Sequence, residues 1–158
     1  LAWTAQLEQF EKAYPEAFKA NVHMPPAGHF GDPETEVILP RMTSDICQVF
    51  CDIVDGKQPT ITWNNMATLG IVLASKGYPG SYEKGYAIEG TEEVDGSIYH
   101  MGTALKDGKY VTSGGRVMIV VCQAPTLREA QQKAMEDVER IECDNLFHRT
   151  DIGNKAFK

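Results

Sequence analysis

The chain has 158 residues, 42 % hydrophobic and 23 % charged, the proportions of one globular domain and not of a disordered segment. With 22 acidic against 15 basic residues and a formal charge of −7, a basic nucleic-acid-binding surface is not expected. No apolar run approaches the roughly 18–20 residues needed to cross a bilayer, so no membrane role is expected either.

Trp3, Leu7, Phe10 and Tyr14 recur at helical spacing with charged residues between them, which predicts an amphipathic helix ended by Pro15. Its aromatic face must bury itself against something, either the domain's own core or a partner. From Ala20 to Gly31 the periodicity dissolves into a Pro- and Gly-containing linker, the most natural boundary in the chain. The start, Leu1-Ala-Trp-Thr4, shows no signal-peptide pattern and no initiator Met, and we expect a fragment of something longer.

Ile46, Val49, Phe50, Ile53 and Val54 predict a helix over about 44–55, with Ser44 or Thr43 as its N-cap and Gly56 as its stop. Cys47 and Cys51 flank that apolar face one turn apart. With no His near them, they are expected to be small buried hydrophobes in a reducing cytosol, and not metal ligands. Leu69 to Ala74 is a short apolar run that fits a strand buried on both faces. Asp95-Gly96, Asp107-Gly108 and Gly114-Gly115 read as turns. The runs Ile98–Leu105, Lys109–Ser113 and Val117–Cys122 are expected to form an antiparallel meander around the last two. Thr126-Leu-Arg-Glu129 is a capping box that opens a helix with the stripe Leu127, Ala130, Ala134, Val138 and Ile141. The expected fold class is α+β, a small mostly antiparallel sheet with flanking helices.

Common catalytic signatures are missing. The sequence contains neither nucleotide-binding glycine fingerprint, no nucleophile elbow and no zinc helix. What remains is a set of loops. In Phe30-Gly-Asp-Pro-Glu-Thr-Glu36, Asp32 suits an N-cap, Pro33 the first helical position, and Glu34 and Glu36 the positive end of the helix dipole. The same carboxylates suit a substrate ammonium or a metal-bound phosphate. Lys76 and Tyr78, in a Pro-Gly turn after the buried strand, are either surface residues or contacts for an anion. Gly114, Gly115 and Arg116 offer backbone N–H groups beside a guanidinium, which reads as an anion pocket or as a plain hairpin turn. Arg149 and Asp151 are placed for a local ion pair closed by Gly153.

Taken in order, Phe30-Gly-Asp-Pro-Glu-Thr35, Ala74-Ser-Lys-Gly-Tyr-Pro-Gly80, His100-Met-Gly-Thr103, Gly114-Gly-Arg-Val117 and Phe147-His-Arg-Thr-Asp-Ile-Gly153 resemble the C-terminal part of the phosphoribosylamine–glycine ligase (glycinamide ribonucleotide synthetase) family. The resemblance divides the chain into residues 1–29, which do not match, and 30–158, the end of an ATP-grasp domain plus a C-terminal domain similar to that of biotin carboxylase. It implies a cytoplasmic, ATP-dependent ligase of purine biosynthesis that joins glycine to 5-phosphoribosylamine, with ATP and Mg²⁺ (or Mn²⁺) as cofactors in the intact family. Given those substrates, charge divides the labour. The glycine ammonium suits Asp32 and Glu34, and the phosphate suits Lys76, Arg116 and the N–H groups of Gly114 and Gly115, with weaker support for Tyr78. One shared site requires the loop after Phe30 to lie near the turns at 76–80 and 114–116. The family pattern places Glu, Asn and Arg just before Phe30, where this chain has Pro25, Ala27 and His29. Proline and alanine side chains offer no oxygen to Mg²⁺. No cofactor is therefore expected to bind this chain alone, and no catalysis is expected from it unaided. The alternative is a non-catalytic interaction or regulatory module of the same descent.

Overall fold

The computed structural model describes Gly31 and residues 33–157. The expected Trp3–Tyr14 helix, Asp32 and the Pro25–His29 positions lie outside the described residues. Two helices come first: α1, Glu34–Ile38, and α2, Ile46–Val54. Then follow β1, Ala67–Ser75; β2, Ser97–His100; β3, Thr103–Lys106; β4, Lys109–Thr112; and β5, Arg116–Ala124. Helix α3, Leu127–Val138, and the short strand β6, Leu146–Phe147, complete the fold.

The main sheet has the order β2-β5-β1-β6, and every pairing is antiparallel. Its two long strands run side by side, with Leu69, Ile71 and Leu73 opposite Cys122, Val120 and Met118. Paired residues share a face, and this face is packed by α3 through Ala130, Ala134 and Val138, all buried. The opposite face carries α1. A Cβ on Gly70 would lie 2.7 Å from Ile119 Cδ1 and 2.8 Å from Val37 Cγ2, so glycine is what lets the helix settle onto the strand. The expected α+β class is therefore the observed one, with β1 and β5 at its centre.

The capping box on α3 forms as the sequence suggests. Thr126 Oγ1 accepts from Glu129 N at 3.3 Å while Thr126 N donates to Glu129 Oε2 at 3.0 Å. Helix α2 is capped differently from expectation. Asp45 is its N-cap and accepts from Cys47 N at 2.8 Å and Gln48 N at 3.2 Å. Ser44 and Thr43 are drawn away by Thr62, whose N–H donates to Ser44 Oγ and whose hydroxyl meets that of Thr43. Cys47 and Cys51 are exposed and not buried, because α2 buries only Val49. At α1, Pro33 holds the cap position, not the first helical one, and supplies no side-chain bond.

The meander also needs correction. Asp107 and Gly108 both take positive φ, 51° and 78°, and close the β3–β4 hairpin as expected. Gly114-Gly115 does not close a hairpin, because β4 and β5 belong to different sheets. The expected run Ile98–Leu105 breaks at Met101-Gly102, where both N–H groups turn to the Val117 carbonyl at 3.0 and 2.9 Å. A Cβ on Gly102 would lie 2.7 Å from Gly114 Cα, so the chain can pass here only as glycine. The break peels β3 and β4 off into their own two-stranded sheet.

Candidate functional site

Strand β1 ends at Ser75, which is fully buried although polar. Its partners come from the turn that leads into β5. Ser75 N donates to the Gly115 carbonyl at 2.8 Å, and Ser75 Oγ to the Gly114 carbonyl at 2.8 Å. These two hydrogen bonds, one donated by the Ser75 backbone and one by its side chain, clasp two loops far apart in sequence to one end of the sheet. Lys76 and Tyr78 lie just beyond the clasp on one loop, and Gly114, Gly115 and Arg116 form the other. A Cβ on Gly115 would overlap the Tyr78 ring, so the ring rests against bare backbone.

Around this clasp the polar groups are largely engaged. Lys76 Nζ donates to the Asp144 carbonyl at 2.7 Å, and Lys76 N to the Asn145 carbonyl at 2.9 Å. Asn145, itself buried, reaches through Nδ2 to the Glu83 carbonyl at 2.9 Å, which ties the loop after Tyr82 to the segment before β6. Tyr78 and Tyr82 meet edge to face at 6.3 Å, and the Lys84 ammonium sits 5.9 Å over the Tyr82 ring. Arg116 pairs in register with Ala74 and is half-buried. The Gly114 N–H already donates to the Gly102 carbonyl at 2.9 Å. The Gly114 N–H and the Lys76 ammonium are therefore both occupied by carbonyls. The glycines serve close approach of the loops.

Glu34 sits elsewhere in the fold. It opens α1, whose Val37 lies over Gly70 midway along β1, roughly 20 Å from Lys76 at the rise of a strand. Thr35 anchors this helix by donating from both N and Oγ1 to the Gly31 carbonyl, each at 2.9 Å. The sheet-end loops are thus brought together, while the carboxylate of Glu34 belongs to a separate element. Sequence reasoning left out Ser75, Tyr82 and Lys84. Ser75 carried a usable signal, a hydroxyl at the end of an apolar strand that must find acceptors once buried.

A second polar centre lies at the other end of β5. The Asp137 carboxylate is buried and accepts from Gly96 N at 2.8 Å, Asp95 N at 3.2 Å and Cys122 Sγ at 3.2 Å. Arg140 Nη1 completes it at 3.0 Å and bonds Asp95 Oδ2 at 2.7 Å. A cleft of about 480 Å³ opens beside it, lined in part by Pro40, Ser97, Lys133 and Glu136. Because the carboxylate is consumed by these donors, the centre reads as a tie between the 95–96 turn and α3. Burial, followed by the Asp137 bond, pushes the Cys122 thiol up to about 12. The native thiol therefore stays protonated well above pH 9 and should not react with iodoacetamide at pH 8.5 until the chain unfolds. The sign also fixes a stability trend. A thiol whose folded pKa is raised contributes stability that is complete below pH 9 and is lost as pH rises toward 12. Mass-spectrometric mapping of native labelling checks this, and modification of Cys122 at the rate of a free thiol would contradict it.

The expected Arg149–Asp151 pair is present as a two-point contact, with Nε and Nη2 at 2.8 and 2.7 Å from the two carboxylate oxygens. Gly153 follows at φ 84°. Among the described residues no group of three His, Cys, Asp or Glu side chains could hold a metal, and no helix is long and apolar enough to cross a membrane. Magnesium, which the family implies, does not fit the donors at hand. Positions 25 and 27 are proline and alanine, and neither side chain has an oxygen.

An antiparallel sheet backed by one long helix, with its loops clasped at one end, defines this molecule as an α+β module. A family profile described as "Phosphoribosylglycinamide synthetase, C domain" matches residues 68–155. The chain belongs to this family. It is 51 % identical over 129 residues to a phosphoribosylamine–glycine ligase of Halalkalibacterium halodurans, covering 80 % of this chain and 30 % of that protein. A phosphoribosylamine–glycine ligase of Streptococcus pneumoniae is 45 % identical over 132 residues, covering 82 % and 31 %. The crystal structure of the phosphoribosylamine–glycine ligase from Thermotoga maritima superposes with a TM-score of 0.71 at 35 % identity, over 78 % of this chain and 31 % of that one. The chain spans about 30 % of the length of the curated relatives it matches.

Proposed function

We propose that this chain is the C-terminal portion of a phosphoribosylamine–glycine ligase and does not perform the ATP-dependent ligation by itself. Its contribution is a surface for the anionic end of the amine substrate, with Lys76 and Arg116 facing the phosphate and Tyr78 shaping its wall. The observation that carries this reading is the Ser75 clasp, which holds the Lys76–Tyr78 and Gly114–Arg116 loops at one end of the sheet. Cations grouped on fixed loops suit a phosphate better than isolated surface charges do. In the same reading the carboxylates of Asp32 and Glu34 serve the ammonium of glycine, Glu34 from an element apart from the phosphate loops. The four free thiols support a reducing, cytoplasmic setting.

Two measurements on the purified chain test the reading. Thermal unfolding should show no Mg²⁺-dependent rise in Tm with ATP, because a ligand stabilises only a native state that binds it. Mixing the chain with ATP, Mg²⁺, glycine and phosphoribosylamine should release no phosphate above background. A magnesium-dependent Tm shift together with turnover would overturn the statement that this chain is inactive alone. In an intact relative, Asn at the position of Asp32 should raise the KM for glycine and leave the KM for ATP unchanged.

A further inference from the structure

Residues 81–86 form a strap between two parts of the fold. On one side the Tyr82 ring lies 3.1 Å from the position a Cβ on Gly115 would take. Just beyond, Gly85 N donates to the Thr112 carbonyl at 2.7 Å and Tyr86 N to Thr112 Oγ1 at 3.2 Å. On the other side Asn145 Nδ2, from the segment before β6, donates to the Glu83 carbonyl at 2.9 Å. Thr112 and Asn145 are buried polar residues, and each finds hydrogen-bond partners in this strap. The backbone on both sides of Lys84 is therefore held.

The Lys84 side chain is exposed, with its ammonium 5.9 Å over the Tyr82 ring, the range of a cation–π contact. Among the described residues no hydrogen bond or ion pair takes it. The carboxylate next to it in sequence, Glu83, accepts from the Tyr86 hydroxyl. The ammonium of Lys76, by contrast, already holds the Asp144 carbonyl. Contact by contact, the Lys84 ammonium, the Tyr82 and Tyr78 rings and the Gly115 backbone make one continuous patch, with Arg116 next along the chain. A cation beside aromatic walls matches a phosphate carried on a sugar. The charge meets the phosphate, and the tyrosines offer the sugar an apolar face with a polar tip. The flexible four-carbon stem lets the ammonium turn from ring to phosphate while the strap stays in place.

We propose that Lys84, carried by this strap, is a further phosphate-facing residue of the sheet-end surface, an inference that rests on the reading that these loops take a sugar phosphate. The test is the affinity of the full chain for ribose 5-phosphate, followed by the Gly115 and Arg116 amide shifts. Lys84→Met should weaken binding about tenfold, the scale of one hydrogen bond to a charged group. Its Tm should stay at the parent value, because the side chain it alters is exposed. Lys84→Arg keeps a phosphate-binding charge and should restore most of the affinity. Lys106→Met removes the same charge from β3 and should leave binding unchanged, which separates a local contact from net charge. Equal affinity of Lys84→Met and the parent would overturn this inference while the reading of the surface stands. No saturable binding of ribose 5-phosphate by the parent would overturn both.

Discussion

Replacing Asp137 by alanine should destabilise the domain by about 3 kcal/mol, the upper part of the range for leaving buried hydrogen-bond donors without their acceptor. The side chain is 3 % exposed and its two oxygens serve Asp95 N, Gly96 N, Cys122 Sγ and Arg140 Nη1. Alanine leaves two backbone N–H groups and a thiol without an acceptor, and frees the guanidinium to solvent. The turn at Gly96 has no room to adjust, since a Cβ there would lie 2.6 Å from Cys122 Sγ and 2.8 Å from the Val121 carbonyl. Asp137→Asn keeps one acceptor oxygen and should cost roughly half as much, because only the charge and part of the bonding are lost. Urea unfolding followed by circular dichroism measures both. A loss below about 1 kcal/mol for alanine, the level of an ordinary exposed pair, would mean that the network does not hold the turn.

The second large effect is expected at the clasp. Gly115→Val should cost about 3 kcal/mol, near the upper end for forcing bulk into a packed site. The new Cβ would overlap the Tyr78 ring, and the Tyr82 ring stands 3.1 Å from the same point. Relief requires the partly exposed Tyr78 ring to leave its place against Gly115, or the loop, held through Tyr78 N to the Ser75 carbonyl at 3.0 Å, to part from the sheet end. The same variant should abolish any phosphate binding by these loops while leaving α2 and the β3–β4 hairpin undisturbed. Stability within about 1 kcal/mol of the parent would show that the loops are not tightly packed.

Local chemistry was the most legible part of the sequence. The Thr126–Glu129 box, the Asp107-Gly108 turn and the Arg149–Asp151 pair need only neighbours a few residues away, and each forms as expected. The continuous apolar run of β1 likewise marked the centre of the sheet. Elements decided by distant segments were harder to foresee. The α2 cap moved to Asp45 because Thr62 claims the two hydroxyls before it. The Gly114-Gly115 pair looked like a hairpin turn, yet its carbonyls are acceptors for Ser75 and its strands lie in different sheets. Cys47 and Cys51 were expected inside because apolar periodicity marks a face without saying how much of it finds a partner. The family resemblance was legible from five ordered motifs, and these supplied the candidate loops. Only the fold could show that Ser75 joins two of those loops while Glu34 stands on another element.

The reading rests on one anion surface at the sheet end, and amide chemical shifts test it most directly. In a titration of the isotopically labelled chain with ribose 5-phosphate, saturable shifts should concentrate at Lys76, Gly77, Tyr78, Gly115 and Arg116. ATP with Mg²⁺ should leave those amides unmoved. Shifts confined to α2, to the β3–β4 hairpin or to the Asp137 cleft, or no shift at saturating ligand, would contradict it.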